Sequence, residues 1–284
     1  MQLPSTDLRP PVDEIAELVD LLCAKSLACK READVVDRVL MRLVRPNHHG
    51  YFWGDRMLTL DKAAAFRDDP AFQAALARAD SSTGQNQYAS PDGISWRYHT
   101  LIWAARCCLC LPGDFVECGV YRGDMTWMVT ETVDLQGAGK RFYLYDTFAG
   151  FDPRYSSPAD FPDAPHFFDI ADQIYKHPGI EAYVRQRFAN KPNVVVTRGT
   201  VPDVLADVSP AQIAFLHLDM NSPAAEIGAL EVLFDRVMPG GMIVLDDYGW
   251  ALYRMQRCAA DQFMAARGLA ILELPTGQGL AVKC

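Results

Sequence analysis

The spacing of apolar residues changes once along the chain, near residue 113. Before that point the apolar positions recur every three or four residues, which is typical of helices with one buried face. Beyond it, short apolar runs bounded by turn residues alternate with helical segments, which is typical of buried strands in a sheet. In the first part the sequence predicts helices over 11–27, 33–43, 61–79 and 94–111.

The second part of the chain predicts one sheet with helices on both faces. Strand–helix alternation gives parallel strands. The closing pair, 270–274 and 280–283, surrounds the turn Pro-Thr-Gly-Gln-Gly and makes the last strand antiparallel. We therefore predict an α/β fold with a mostly parallel, Rossmann-like sheet. The parallel strands are expected at 115–118, 141–145, 193–197, 213–218 and 241–245, and the helices from 124 onward and over 171–188, 201–205, 224–237 and 252–267.

Three segments break this pattern. Residues 48–54, His-His-Gly-Tyr-Phe-Trp-Gly, predict an aromatic turn, and no third ligand lies nearby to make its paired histidines a metal site. The polar residues 81–92 and the Pro-, Asp- and aromatic-rich residues 147–168 predict loops. We expect both loops to be mobile without ligand and to close over a binding site.

The change of pattern also defines the predicted domains. A helical N-terminal region or lid comprises residues 1–93, and an α/β domain comprises residues 94–284. A chain of 284 residues is long enough for one large domain with such an extension. We expect the N-terminal region to cover a substrate or to form the subunit contact of a homo-oligomer.

Composition narrows the functions further. The formal net charge of −9 supplies no basic surface for a nucleic-acid backbone. No apolar run reaches the roughly 20 residues of a membrane-spanning helix, and the first residues lack the features of a signal peptide. We therefore expect a cytoplasmic protein without a membrane partner. The eight cysteines include no paired C-x-x-C motif, which favours reduced, mostly buried thiols over a zinc site.

A glycine loop follows the first predicted strand of the sheet. Gly119 and Gly123 allow a tight turn and let a ligand approach the main chain, and a helix start points N–H groups into the loop. The spacing is G-x-x-x-G, which differs from the G-x-G-x-x-G of dinucleotide enzymes, and no phosphate-binding lysine follows. Glu117 suits a cationic ligand better than a pyrophosphate. Asp146 lies at the interval at which an acidic residue binds ribose hydroxyls in nucleotide-binding folds.

Three further carboxylates follow the last two parallel strands. Asp219, Asp246 and Asp247 should meet at the carboxyl edge of the sheet, where open α/β sheets bind ligands. They would repel one another unless something positive lay between them, and no lysine or arginine adjoins them in sequence. A divalent cation with oxygen ligands, of the Mg²⁺ type, is therefore expected. The alternative is that one or two of these residues only cap the following helices.

Four sequence blocks resemble, in order, those of the macrocin, mycinamicin and novobiocin O-methyltransferase family. The resemblance covers roughly residues 96–283. It implies a class I fold that binds S-adenosylmethionine (SAM), and a Mg²⁺ or Mn²⁺ ion that holds the hydroxyls of a small-molecule acceptor. The blocks are Gly-Asp-Phe-Val-Glu-Cys-Gly-Val-Tyr-Arg-Gly (113–123), Tyr-Asp-Thr-Phe-Ala-Gly-Phe (145–151), Leu-Asp-Met-Asn-Ser (218–222) and Pro-Gly-Gly-Met-Ile-Val-Leu-Asp-Asp-Tyr (239–248).

The resemblance also implies roles for individual residues. The expected reaction is methylation of a hydroxyl on a sugar or another natural-product or glycan acceptor. Asp219 would serve as metal ligand and base, with Asp246 and Asp247 as further ligands, and His217 is a weaker second candidate for the base. The residues expected to hold SAM are Glu117, Cys118, Gly119, Val120, Tyr121, Asp146, Thr147, Phe148, Gly150, Thr200 and Val201.

Two positions depart from the family pattern. Asn221 stands where the family usually has an acidic residue, and Gly249-Trp250 follows Asp-Asp-Tyr. Both border the acceptor site, so the acceptor need not be a macrolide sugar or an aminocoumarin. Two other functions share the fold. The glycine spacing and the three aspartates oppose an NAD-dependent oxidoreductase, and a non-catalytic SAM-fold binding protein would be expected to have lost some of the carboxylates.

Overall fold

The computed structural model describes residues 50–83 and 92–284. These residues fall into two compact units. Among the described residues, the first unit comprises 50–69 and 92–96, and the second comprises 70–83 and 97–284. The predicted domain boundary at residue 93 stays a prediction. Outside the described residues lie the predicted helices over 11–27 and 33–43, the paired His48 and His49, and most of the predicted loop at 81–92.

The first unit contains a β-hairpin where the sequence predicts an aromatic turn. Strand β1 (Tyr51–Gly54) pairs antiparallel with β2 (Met57–Leu60). The turn prediction was wrong because the aromatic residues fill a core: Phe52 is fully buried and its ring meets that of Trp96 edge-on at 5.1 Å. The carboxylate of Asp92 accepts a hydrogen bond of 2.7 Å from the main-chain N–H of Trp53 and fixes the hairpin.

The predicted helix over 61–79 is also wrong in its bounds. A short 3₁₀ turn (Ala65–Asp68) ends at Asp69, whose main chain is extended, and helix α1 (Pro70–Thr83) begins at the next residue. Proline disfavours a helical conformation in the residue before it but is tolerated in the first turn of a helix, so Pro70 separates the two elements.

The second unit is built on a seven-stranded sheet. Its strands are β3 (Asp114–Cys118), β4 (Phe142–Asp146), β5 (Val194–Arg198), β6 (Ile213–Leu218), β7 (Val237–Leu245), β8 (Leu272–Glu273) and β9 (Gly279–Val282). Their order is β5-β4-β3-β6-β7-β9-β8. The first five strands in this order are parallel, and β9 runs antiparallel to β7 and β8. The predicted mostly parallel sheet with an antiparallel last strand is confirmed.

Helices connect the strands, and one predicted helix is divided. The sequence predicts a single helix over 171–188, but two helices form, because Pro178 cannot continue a helix and Gly179 adopts a left-handed conformation with φ of 80°. Helices α2 to α7 are Ser95–Cys108, Asp124–Thr132, Phe167–Tyr175, Ile180–Arg187, Pro223–Leu233 and Arg254–Ala265. Within the described part of the chain, none of the helices combines the length and apolar character of a membrane span.

The strand order reverses between β3 and β6. The chain moves outward from β3 through β4 and β5 and then returns to β6 on the other side, so the loops after β3 and β6 separate at a crevice. Gly119 (φ 86°) lies so close to the end of β6 that a Cβ atom there would stand 1.9 Å from the carbonyl oxygen of Asp219. Only glycine therefore fits at this crossing.

Candidate active site

Asp146 organises the loops on one side of the crevice. Its carboxylate accepts hydrogen bonds from three main-chain N–H groups, those of Val120 (2.7 Å), Tyr121 (2.8 Å) and Phe148 (2.6 Å). Tyr121 and Phe148 both have positive φ, of 47° and 50°, which is uncommon outside glycine and is held here by these bonds. An ionised carboxylate has about four acceptor positions, so Asp146 keeps capacity for a ligand hydroxyl.

The other residues predicted to hold the cofactor are placed in two ways. Thr147 and Gly150 form a turn in which the threonine hydroxyl donates to the Gly150 carbonyl at 2.6 Å, and Thr200 donates to Asp152 at 2.8 Å. Val201, the residue after Thr200, is buried. In contrast, the side chains of Glu117 and Cys118 lie inside the protein, and burial raises the pKa of the Cys118 thiol well above its usual range.

The three aspartates predicted to bind metal are brought together. One carboxylate oxygen of each lies within 4.8 Å of those of the other two. Asp246 and Asp247 are buried at the end of β7, and Asp219 is half-buried at the end of β6. Burial, Asp246 and Asp247 raise the pKa of Asp219 well above its usual range. Burial is the largest cause, and the carboxylates of Asp246 and Asp247 place further negative charge beside Asp219.

A buried arginine, which the sequence analysis missed, joins this cluster. Arg97 lies in α2 and donates from Nη1 to Asp246 Oδ2 at 2.5 Å and to Asp247 Oδ1 at 3.2 Å. Its guanidinium carbon stands 5.0 Å from the centre of the Trp250 ring. Arg97 precedes Asp246 by 149 positions, so no motif around the aspartates includes it. No positive residue adjoins the aspartates in sequence, but α2 supplies one in space.

His217 lies between two buried carboxylates. Its Nδ1 is 3.0 Å from Glu117 Oε1, and its Nε2 is 3.6 Å from Asp246 Oδ1. Burial alone lowers the pKa of His217, but Asp246 and Glu117 raise it, to about 10. A protonated histidine has no lone pair for a further proton, which makes His217 the weaker candidate for the base. The assignment of the base to Asp219 stays a prediction.

Two more contacts hold the Glu117–His217–Asp246 row in place. Thr126, in α3, donates its hydroxyl to Glu117 Oε2. Gln278, in the turn before β9, is fully buried and donates to Asp246 Oδ1 at 2.8 Å. Burial alone raises the pKa of Asp246, but Arg97 and His217 bring it below its usual range. Asp246 is therefore an ionised carboxylate with fixed orientation.

The charges of the cluster fit a divalent cation. With all carboxylates ionised, Glu117, Asp219, Asp246 and Asp247 outnumber the positive groups Arg97 and His217 by two. Carboxylate oxygens are the ligands that Mg²⁺ and Mn²⁺ prefer. Each carboxylate has about four acceptor positions, so the bonds to Arg97 do not exhaust Asp246 and Asp247. The residues present therefore suit such an ion, and their role as ligands stays a prediction.

The long segment after β4 is anchored to its surroundings. The Tyr155 carbonyl accepts a hydrogen bond from the Ser222 hydroxyl at 2.8 Å, and the Phe151 N–H donates to Asp172 at 2.9 Å. Arg254 contacts Asp163 at 2.6 Å. These bonds tie the predicted loop to α4, α6 and α7. Its closure over a ligand stays a prediction, which amide hydrogen exchange with and without ligand would test.

Glu226 is a buried acid next to the cluster. It lies in the first turn of α6 and accepts a hydrogen bond from Gln256 of α7. Burial raises its pKa to about 8. Glu226 therefore carries its proton at neutral pH, and it adds no charge to the acidic site.

Replacing Glu226 by glutamine is expected to flatten the dependence of stability on pH. In the unfolded chain this carboxyl loses its proton near pH 4.5, and in the folded protein only near pH 8. The contribution of the protonated Glu226 to the free energy of unfolding is thus fully present below pH 4.5. It is lost as the pH rises to about 8, and it amounts to on the order of 5 kcal/mol at most. Urea denaturation between pH 5 and 8 measures the effect. Glu231→Gln, on the exposed face of the same helix, should keep the wild-type slope, and an unchanged slope in Glu226→Gln would contradict the assignment.

Comparison with known proteins identifies the family. A family model of macrocin-O-methyltransferase (TylF) matches residues 108–272, which are more than half of the 284 residues. The chain belongs to this family. The match includes β3, β4, β6 and β7 with their glycine loop and aspartates, and it confirms the resemblance stated from the sequence blocks.

Two individual proteins illustrate the relationship. The 8-demethyl-8-(2,3-dimethoxy-alpha-L-rhamnosyl)-tetracenomycin-C 4'-O-methyltransferase of Streptomyces olivaceus is 28% identical over an alignment of 147 residues, which covers 49% of this chain and 54% of that protein. The chain thus spans about half the length of this curated relative. The structure of the O-methyltransferase NovP aligns with a TM-score of 0.56 and 19% identity over 66% of this chain and 79% of that chain, which shows a shared fold. The predicted Rossmann-like class I methyltransferase fold is confirmed.

Proposed function

We propose that the protein is a SAM-dependent O-methyltransferase that methylates a hydroxyl of a sugar or another natural-product or glycan acceptor. The observation that carries the proposal is the crossing at Gly119. Here the loop bonded to Asp146, which we assign to the donor, touches the main chain of Asp219 in the acidic cluster, so the two proposed sites would be neighbours. Methyl transfer needs a donor and a hydroxyl side by side and in line.

The donor side would consist of Asp146 and the main chain of 119–121. SAM supplies the methyl group from its sulfonium, and S-adenosylhomocysteine (SAH) is left. Asp146 would accept the ribose hydroxyls, and Gly119 lets the ligand approach the main chain. Thr147, Phe148, Gly150, Thr200 and Val201 follow the ends of β4 and β5, at the same edge of the sheet.

The acceptor side would be the cluster of Asp219, Asp246 and Asp247, which we propose to hold Mg²⁺ or Mn²⁺. The chemistry that such an ion supplies when bound is a lowered pKa and a fixed orientation of a coordinated hydroxyl. Asp219 would take the hydroxyl proton as the new oxygen–methyl bond forms and the sulfonium–methyl bond breaks. Without a metal, burial and the neighbouring carboxylates raise the pKa of Asp219, and a bound cation would lower it again and keep Asp219 ionised, as a base must be. Arg97 and Gln278 hold Asp246 in place through hydrogen bonds, and the positive groups Arg97 and His217 offset part of its charge.

Replacing Asp146 by alanine is expected to weaken SAH binding by about 1–3 kcal/mol, through loss of charge-assisted hydrogen bonds to ribose and of the bonds that shape the loop. Isothermal titration calorimetry measures this change. Asp235→Ala, an exposed aspartate after α6, should bind SAH as the wild type does. Equal affinities of Asp146→Ala and wild type would remove the assignment.

The acceptor is identified by mass spectrometry. The curated relative is named for methylation of a rhamnosyl group, so rhamnosylated compounds are the first class to test. A gain of mass equal to one methyl group in place of hydrogen, with formation of SAH, supports an enzyme. SAH binding without transfer to any acceptor in a broad panel would favour the non-catalytic alternative, and binding of NAD would favour the oxidoreductase.

Further properties are proposed with this function. The net charge of −9 favours a small-molecule acceptor over nucleic acid. We also propose a cytoplasmic protein that forms a homo-oligomer through residues 1–93. Cell fractionation tests the location, and light scattering of the full chain tests the oligomeric state.

A further inference from the structure

A chain of contacts runs from the donor loop to the acidic cluster. At its centre is Tyr175, the last residue of α4, whose hydroxyl donates to Asn221 Oδ1 at 2.6 Å. Asn221 Nδ2 in turn donates to Asp247 Oδ2. The amide thus has a fixed orientation, in which its oxygen accepts from tyrosine and its nitrogen donates to the carboxylate. A carboxylate at position 221 could not donate to Asp247.

The other end of Tyr175 meets the donor loop. Its ring packs edge-on against the ring of Tyr121 at a centroid distance of 5.4 Å, and against that of Phe151 at 5.6 Å. The main-chain N–H of Tyr121 is bonded to Asp146. Tyr175 therefore contacts the donor loop with its ring and reaches the metal side with its hydroxyl.

The main chain is in an uncommon conformation at Tyr121 and at Asn221, which lie on either side of Tyr175 in this chain of contacts. Tyr121 and Asn221 have φ of 47° and 53°, in the left-handed region. Asn221 is only 4% exposed, so water does not replace its two side-chain bonds. Residues held in such conformations by their surroundings are concentrated at ligand sites and switches. Each contact from Tyr121 through Tyr175 to Asn221 therefore has a defined direction.

We propose that Tyr175 and Asn221 are positioning residues that couple the two sites, so that donor binding raises the affinity of the acidic cluster for a divalent cation. The inference rests on the proposed function. A donor bound against the main chain of 119–121 fixes Tyr121, whose ring fixes Tyr175. The tyrosine hydroxyl then holds Asn221, which orients Asp247 toward the ion. By linkage, the ion raises the affinity for the donor by the same factor.

Calorimetric titration of SAH with and without saturating Mn²⁺ tests the coupling in the full chain without any turnover. In the wild type, Mn²⁺ is expected to lower the Kd of SAH on the order of fivefold or more. In Tyr175→Phe, which keeps the ring and loses only the hydroxyl, this factor should fall below about two, while SAH alone binds within about threefold of wild type. Asn221→Gly tolerates the positive φ, removes both bonds and should also lose the coupling.

Tyr248→Phe is the matched control. It removes a tyrosine hydrogen bond of the same length, 2.6 Å, which is directed to Asp261 although Tyr248 directly follows Asp247. It should keep the wild-type factor. If both ligands bind the wild type independently, or if Tyr175→Phe and Asn221→Gly keep the full factor, the inference is overturned. A wild type that binds no SAH overturns the proposed function and the inference with it, which separates the two failures.

Discussion

Replacing Asp219 by asparagine is expected to lower kcat by roughly 10²–10⁴-fold, the range for loss of a general base. Asparagine keeps the shape of the side chain but cannot accept the hydroxyl proton, and it supplies a weaker metal ligand. Measured in EDTA, the affinity for SAH should stay within about threefold, because the loop around Asp146 that we assign to the donor is untouched and no metal contributes to the comparison. The loss should thus appear in kcat and not in donor binding.

Turnover with the acceptor found by mass spectrometry, together with SAH calorimetry, measures this split. Asp235→Asn, an exposed aspartate, should turn over as the wild type does. Excess EDTA should abolish wild-type activity, and Mg²⁺ or Mn²⁺ should restore it. Full turnover in EDTA would remove the metal from the mechanism and leave Asp219 to act alone. Full turnover of Asp219→Asn would remove Asp219 as the base.

Replacing Arg97 by methionine is expected to destabilise the metal-free protein by about 3–5 kcal/mol, the cost of removing one partner from a buried ion pair. Arg97 is 4% exposed and bonds both Asp246 and Asp247, so its loss leaves two buried carboxylates with less compensating charge. Methionine has a similar length and fills the space beside Trp250. Divalent cations should stabilise the variant more than the wild type, because its cluster carries a larger negative excess.

Urea denaturation in EDTA and in Mg²⁺ measures both effects. Arg185→Met is the control, since Arg185 forms an exposed helix pair with Glu181 that contributes at most about 1 kcal/mol. If Arg97→Met unfolds at the wild-type urea concentration in EDTA, Arg97 does not compensate the cluster. If Mg²⁺ stabilises both proteins equally, the link between Arg97 and the metal site is wrong.

The parts of the site that could be predicted from sequence are those with a local cause. Apolar runs fix the strands, and a residue directly after a parallel strand must lie at the carboxyl edge of the sheet. This reasoning alone placed Asp146, Asp219, Asp246 and Asp247 at that edge, where the carboxylates of the last three meet. Gly119 was predictable for the same reason, because close crossing of loops at a strand end requires glycine.

The parts that could not be predicted depend on contacts between distant elements. Arg97, Gln278 and Tyr175 reach the cluster across 149, 32 and 46 positions, and nothing in their own segments marks them. The buried row from Glu117 to His217 is similar, since neighbouring strands place it inside the protein. The break between α4 and α5 is different, because Pro178-Gly179 signals it locally and the prediction overlooked it.

Calorimetric titration of the full chain with SAH and, separately, with NAD tests the central proposal most directly, because it needs no acceptor. We expect SAH to bind one site per chain, NAD not to bind, and Asp146→Ala to bind SAH about 1–3 kcal/mol more weakly. Binding of NAD in place of SAH, or of neither ligand to the folded wild type, would contradict the proposal that this crevice holds a methyl donor.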